Sequence, residues 1–379
     1  MKIGFFTDAY LPQLGGVSTM VAAWAEGLEK LGHEVYIIAP KYKGYKDKKN
    51  VIRLDSFKFV KQPEVRLGIY SPGKVLYEIS KINFDIIHGF SGGTISSLGL
   101  IVSRLKKVPF VFAYCTRYNQ YTHYFLKGKI VKPKMVEKAS KIFCNGCDYV
   151  IAHMPKIKNE LVSFGIKKPI AIIPSGVDIN KFKKSRGGYL RNKTGIKKGK
   201  ILLCVGRLGK EKSIDFLIKA FKLIHTQDKD TNLVLVSAGI EKDNLQKLAG
   251  KLGLEKSVYF VGEIDPREIN KAYADADIFV FASQTETQGI VILEALASGV
   301  PVVAVNDEVY NGVVKNGENG ILVKKNLLEF AQACLKILEN SAYRQKLSKE
   351  AIKSMRKFSL SETIISLDKL YKGLVAKSI

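Results

Sequence analysis

The sequence has no run of about 18 consecutive apolar residues, which excludes a membrane-spanning helix. Cysteine is scarce, with five in 379 residues and no spaced framework of pairs. Cys144 and Cys147 form a lone CxxC, and neither a second pair nor a neighbouring histidine completes a zinc site. Both are read as reduced structural thiols of a cytoplasmic protein. There is no internal repeat beyond two similar halves and no low-complexity tract. The opening stretch, Met1 to Asp8, has no long apolar segment and reads as a first β-strand, so export is not expected.

Acidic residues are also in short supply. Asp and Glu number 35 against 61 Lys and Arg, a net charge of +26. Such a field favours a polyanion: nucleic acid, an anionic membrane or a phosphorylated substrate. No zinc finger, RNA-binding signature or basic recognition helix is present, so no nucleic-acid role is expected. A solvated lysine surface with no partner is the plainer reading of the same charge.

What is present is alternation. Short β-branched runs read as strands at 2–7, 34–39, 85–88, 109–114, 149–153 and 170–174. A second set follows at 200–206, 232–239, 257–262, 278–282, 301–304 and 321–323. Helical periodicity falls between them, as at 19–31, 214–226, 243–252 and 294–298. Strands this continuously apolar are buried on both faces, as in parallel sheets flanked by helices. The expected fold class is α/β, with two Rossmann-like, doubly wound domains. The first is placed at 1–178, a polar and basic linker at 179–199, the second domain at 200–355, and a last helical segment at 356–379 that returns to the first domain.

Three constellations carry chemistry. Gly15 and Gly16 follow the first strand and open the first long helix, where backbone amides suit a phosphate. Arg207 and Lys212 sit at the carboxyl end of the second half's first strand and suit a diphosphate. The third runs from Ser283 to Ala304. A polar loop carries Glu286, and Gly289 turns the chain into a helix that bears Glu294. Each carboxylate can accept hydrogen bonds from sugar hydroxyls.

This third stretch resembles the E-x7-E motif of the retaining family 4 glycosyltransferases, which have the GT-B fold of two domains facing across a cleft. The match also takes in the Gly15–Gly16 loop, Ile173 to Asp178, Gly206–Arg207 with Glu211–Lys212, Val261–Gly262, and Gly317 to Val323. The resemblance implies a nucleotide-sugar donor, with UDP as the nucleotide by family habit. Gly15 and Gly16 would meet its phosphate, and Arg207 and Lys212 would hold the diphosphate. Glu286 with Thr287, Gln288, Gly289 and Ile290 would meet the hexose, and Glu294 the ribose. It implies retention of configuration with no metal and no cofactor, in keeping with the lack of a clustered His, Asp or Cys ligand set.

A narrower resemblance lies in 116–124 and 143–152. These stretches are similar to bacterial 1,2-diacylglycerol 3-glucosyltransferases, enzymes of glycolipid synthesis that sit on anionic lipid surfaces. The segment between them, residues 124–143, interleaves six lysines with apolar and aromatic residues, as an interfacial helix requires. Lys127, Lys129, Lys132, Lys134 and Lys138 are the expected membrane contacts.

Relatives usually carry a histidine where Cys115 stands and acidic residues where Asn119 and Gln120 stand, all facing the acceptor. Glu286, Cys115 and His123 are the candidate catalytic residues, and His88, at a strand end by the cleft edge, is a further candidate for substrate contact. The expectation is a peripheral hexosyltransferase on the inner face of the cell membrane, acting on a lipid and needing no protein partner. A soluble or polysaccharide acceptor, or a weakly active nucleotide-sugar-binding protein, are the alternatives.

Overall fold

A computed structural model describes residues 1–59, 62–69, 73–122, 132–183 and 187–378. The chain divides into two compact units, Met1–Gly176 with Leu360–Ile379, and Val177–Ser359.

Unit 1 opens with β1 (Lys2–Thr7), α1 (Gly16–Lys30), β2 (Glu34–Pro40), β3 (Val51–Leu54) and a hairpin of β4 (Ser56–Phe59) and β5 (Gln62–Gly68). It continues through α2 (Lys74–Lys81), β6 (Ile86–Phe90), α3 (Thr94–Lys106), β7 (Phe110–Ala113), α4 (Pro133–Gly146), β8 (Tyr149–Ala152), α5 (Pro155–Ser163) and β9 (Ile170–Ile172). Seven strands form one parallel sheet in the order β3-β2-β1-β6-β7-β8-β9. The central strands are buried along almost their whole length because helices cover both faces. On α1, Met20, Val21, Trp24, Ala25 and Leu28 are buried at helical spacing. No strand was expected between Ala39 and Asp85. There β3 lies at the sheet edge, and β4 and β5 pair only with each other. Charged residues, Arg53 in β3, Lys58 in β4 and Glu64 and Arg66 in β5, interrupt the apolar run that marks the other strands.

Unit 2 begins with α6 (Ile179–Lys183) and α7 (Tyr189–Thr194), both inside the stretch expected as a linker. Asp275 holds α7 in place, its carboxylate accepting from the Leu190 amide at 2.6 Å and also from the Gly188 amide. Then come β10 (Lys200–Val205), α8 (Ile214–Gln227), β11 (Thr231–Val236), α9 (Lys242–Lys251), β12 (Val258–Gly262), α10 (Ile269–Ala274) and β13 (Ile278–Phe281). They are followed by α11 (Ile290–Ala297), β14 (Val302–Val305), β15 (Gly320–Val323), α12 (Leu327–Leu338) and α13 (Ser341–Ser354). The parallel sheet runs β12-β11-β10-β13-β14-β15. Counted within the unit this is 3-2-1-4-5-6, the Rossmann order.

The chain then returns to unit 1 as α14 (Leu360–Val375). A buried aromatic cluster receives it. Tyr371 of α14 shares a hydrogen bond with His88 Nδ1, and the His88 ring stacks on Phe90 with centroids 4.2 Å apart. Trp24 lies against both His88 and His153, and its indole N–H donates to the Ser175 carbonyl at 2.7 Å. His88 therefore does not face a cleft edge; it is a core residue with no exposed surface. Its neighbours in β6 are apolar, and the strand is covered on both faces, so its ring had nowhere to point but inward.

Loss of solvent holds both imidazoles neutral. Burial lowers His153 to about 4, although its ring N–H donates to the Ile173 carbonyl, and burial followed by the nearby His153 pushes His88 well below the usual imidazole range. The unfolded chain takes up these protons first as pH falls. The stability that comes from neutral burial is therefore complete above about 6.5 and lost below it, by roughly 1.4 kcal/mol per pH unit for each histidine until its folded pKa is reached. Denaturant midpoints of unit 1 should fall between pH 7 and pH 5 by this slope, taking about 6.5 as the unfolded value. Trp24, the single tryptophan, reports this unit directly by fluorescence. His153→Gln should flatten part of the slope, and a flat wild-type profile would contradict the account.

Candidate active site

In a Rossmann sheet the connections leaving the two strands at the point of reversal run to opposite faces, and a crevice opens at their carboxyl ends. In unit 2 these strands are β10 and β13, paired through Leu202–Ile278 and Leu203–Phe279. The loop after β10 carries Arg207 and Lys212, and the loop after β13 carries Glu286. The structure brings them together: Lys212 Nζ donates to Glu286 Oε1 at 2.5 Å, across 74 positions of sequence. A single 3-10 turn, Lys210–Lys212, sends neighbouring side chains in opposite directions. Lys212 points to Glu286, while Glu211 turns inward and accepts from Arg207 Nη2 at 2.8 Å. The Glu211 side chain is 1% exposed and that of Arg207 is 31% exposed, so the acid is the fixed member of the pair.

The Glu286 loop is braced from behind. Tyr310 donates its hydroxyl to the Ser283 carbonyl at 2.6 Å, and Gln284 Nε2 donates to the Asn306 carbonyl at 3.1 Å. Gly289 closes the loop at φ +77°, and a Cβ there would come within 3.1 Å of the Tyr310 ring. Glycine satisfies both constraints at once. Gln288 and Gly289 are buried, while Thr287 and Ile290 are half-buried, and Ile290 begins α11.

Glu294 is the fifth residue of α11. Tyr273, a buried residue of α10, donates to its Oε2 at 2.8 Å. Desolvation pushes the Glu294 carboxyl up to about 7, against the opposing pull of the Tyr273 hydroxyl and the Lys181 charge. Lys181 itself is anchored on the Pro266 carbonyl at 2.6 Å. The two acids of the motif thus sit in different environments, one paired with a cation and one whose ionisation is opposed by burial.

Unit 1 has the same reversal of strand order between β1 and β6, with an acid beside it. Asp8, just past β1, is turned onto the start of α3. Its carboxylate accepts from the Ile95 amide at 2.9 Å, the Ser96 amide at 3.3 Å and the Thr94 hydroxyl at 3.1 Å. A Cβ at Gly93 would lie 2.4 Å from that carboxyl, so glycine makes the approach possible. Gly15 precedes α1 in an extended conformation and Gly16 is its first residue. The stretch leading to them is tied down by Arg53, which donates to the Leu11 carbonyl at 2.5 Å and the Pro40 carbonyl at 2.7 Å while pairing with Asp47.

Cys115 lies two residues beyond β7, half-buried, its thiol donating to the Ala113 carbonyl at 3.3 Å. Burial pushes that thiol up to about 12, so it stays neutral near pH 7. Asn119, expected to face an acceptor, is instead buried and donates to Glu137 of α4 at 3.2 Å, whereas Gln120 is exposed. The backbone of the 3-10 turn Tyr118–Gln120 packs against α4, which draws Asn119 inward. Lys132, Lys134 and Lys138 are exposed at and along the first turns of α4. His123, Lys127 and Lys129 lie outside the described residues. Among the described residues no group of three His, Cys, Asp or Glu side chains gathers as a metal site. Sequence reasoning gave no role to Glu211, Tyr273, Tyr310, Asp8 or Arg53. Asp8, polar and directly after a buried strand, and Glu211, within the matched Glu211–Lys212 pair, carried signals that could have found them.

Two family models match, the "Glycosyltransferase Family 4" model over residues 14–181 and the "Glycosyl transferases group 1" model over residues 189–354. An alpha-monoglucosyldiacylglycerol synthase of Acholeplasma laidlawii is 30% identical over 100% of this chain and 98% of its own length. One of the same name from Streptococcus pneumoniae is 34% identical over 85% of this chain and 75% of its own. Among solved structures, sucrose-phosphate synthase from Thermosynechococcus elongatus aligns with a TM-score of 0.80 at 20% identity, covering 99% of each chain. Anabaena HepE in complex with UDP-glucose aligns at 0.76 and 19% identity, over 99% of this chain and 100% of its own.

Asp8→Ala leaves the first amides of α3 without their acceptor. The unfolding midpoint of unit 1, followed by Trp24 fluorescence, should drop by the equivalent of about 1–3 kcal/mol. An unchanged midpoint would show that the carboxylate does not brace the start of α3.

Proposed function

Because this chain belongs to the family 4 glycosyltransferases of GT-B fold, we propose that it moves a hexose, glucose first, from a UDP-sugar to the hydroxyl of a lipid, diacylglycerol first, at an anionic membrane surface. The observation that carries the donor half is the contact between Lys212 and Glu286 at the switch point of unit 2, with Arg207 in the same loop as Lys212 and Glu294 on the helix that follows the Glu286 loop. Two cations suit the charge that a departing nucleoside diphosphate develops. Glu286 suits hexose hydroxyls, as do the backbone groups from Thr287 to Ile290, and Glu294 suits the ribose. The lipid acceptor is supported by the two diacylglycerol-glucosylating relatives.

The acceptor hydroxyl attacks the anomeric carbon on the face from which the diphosphate leaves. The bond from the anomeric carbon to the phosphate oxygen breaks, a bond to the acceptor oxygen forms, and the hydroxyl proton passes to the departing diphosphate. Configuration is retained through a short-lived ion pair, with no protein nucleophile and no metal. Cys115, whose thiol is neutral near pH 7, supplies no charge to this step.

The membrane half is supported by α4. Lys134, Met135, Lys138, Lys141 and Ile142 are exposed at spacings that put them on one helical face. That helix borders an open groove of about 810 Å³ reaching Ser163 and Phe164. No helix among the described residues is long and apolar enough to cross a membrane. The proposed location is peripheral, on the inner face of the cell membrane.

Purified protein with UDP-glucose and diacylglycerol in anionic vesicles should form a glycolipid with the donor's anomeric configuration, and binding to the vesicles should weaken with salt. Failure to transfer or hydrolyse any nucleotide-hexose under these conditions overturns the proposal. A second expectation concerns Glu294. Ribose hydroxyls donate to its carboxylate form, so binding of a nucleotide sugar releases a proton. Its affinity should rise with pH through about 7 and level off above it, as measured by calorimetry, and Glu294→Gln should flatten the profile.

A further inference from the structure

We propose that the Lys212–Glu286 ion pair is exchanged when the donor binds, and that through this exchange Glu286 discriminates a nucleotide sugar from the bare nucleoside diphosphate. The inference rests on the reading of unit 2 as the donor site.

Both members of the pair are well shielded, with side-chain exposures of 14% and 17%. At 2.5 Å the carboxylate holds the ammonium as an incoming phosphate would. Glu286 therefore acts as a built-in competitor for the anion. The neighbouring pair does not compete in this way. Glu211 is buried and lies four residues from Arg207 in the same loop, and a guanidinium has enough N–H donors to keep its acid and still reach a phosphate. Of the two carboxylates paired with cations here, only Glu286 stands exposed enough to change partner.

When a diphosphate takes Lys212, Glu286 faces a new anion and has lost its counter-charge. Bare UDP offers nothing in return, and the repulsion between like charges weakens its binding. A donor that still carries its hexose supplies hydroxyl groups to Glu286 as Lys212 is withdrawn, so the exchange balances. After transfer the hexose is gone, Glu286 again seeks Lys212, and the spent nucleotide is displaced. The same acid thus favours loading of intact donor and release of product. The bracing of the loop by Tyr310 and Asn306 confines the change to the Glu286 side chain.

Calorimetric titration of the full chain with UDP and with UDP-glucose tests this, with thermal melts to confirm folding. Glu286→Gln removes the competitor while keeping the shape. It should bind UDP about tenfold more tightly than wild type, lose transfer, and no longer prefer UDP-glucose over UDP. In a Lys212→Gln background the same substitution should give a much smaller gain, because no pair is left to exchange and only the like-charge repulsion is removed. UDP binding unchanged or weakened in folded Glu286→Gln, alongside a wild type that transfers, overturns the exchange. So does an equal gain in the Lys212→Gln background, which would assign the effect to direct repulsion of phosphate. A wild type that binds neither ligand overturns the donor reading itself, and the exchange with it.

Discussion

The adjacency of β10 and β13 is the constraint on which the site depends. Their loops come from distant parts of the sequence, and no local motif brings Lys212 to Glu286. The sheet order does so by seating the first and fourth strands of unit 2 side by side, with their connections leaving for opposite faces. Unit 1 repeats this geometry with β1 beside β6. The two reversals differ in the charges placed beside them. One carries cations with their own acids, and at the other Asp8 accepts from the amides at the start of α3. An internal carboxylate already occupies the place where the helix amides of unit 1 would receive an anion.

Three glutamates of unit 2 show how burial divides one chemical group into separate roles. Glu211 is fixed by depth and by Arg207. Glu286 is half-buried and holds a cation that an incoming phosphate would also want. Glu294 has a hydroxyl as its close partner and pays for desolvation with a raised pKa. The side chains are identical, and the difference comes from which neighbour the fold supplies. The high net charge is a separate matter, carried by lysines such as those along α4.

Much of the fold was legible because buried parallel strands announce themselves as continuous apolar runs, and all of the central strands were found this way. The edge strand β3 and the β4–β5 hairpin were not, since Arg53, Lys58, Glu64 and Arg66 break up their apolar residues. The motif acids and cations of unit 2 were legible as types at spacings. Their pairing was not, because it spans 74 positions and follows from sheet order. Residues 179–199 read as a linker for their polarity, whereas α7 is held by Asp275, which lies far along the chain. His88 looked available because a polar residue at a strand end suggests a site. Tyr371, 283 positions away, takes that nitrogen instead.

The path of the chain has a consequence for its synthesis. Unit 1 is interrupted by the whole of unit 2 and is completed only by α14, which leaves the ribosome after all of unit 2. Unit 2 is contiguous and has all its strands translated before unit 1 can close. Until α14 arrives, the groove that receives Tyr371, Leu367 and Ile364 is an open apolar surface on a nascent protein. A ribosome that stops short of residue 360 therefore releases a chain with an intact nucleotide-type sheet and an unfinished partner. The defect of such a fragment lies at its N-terminal end.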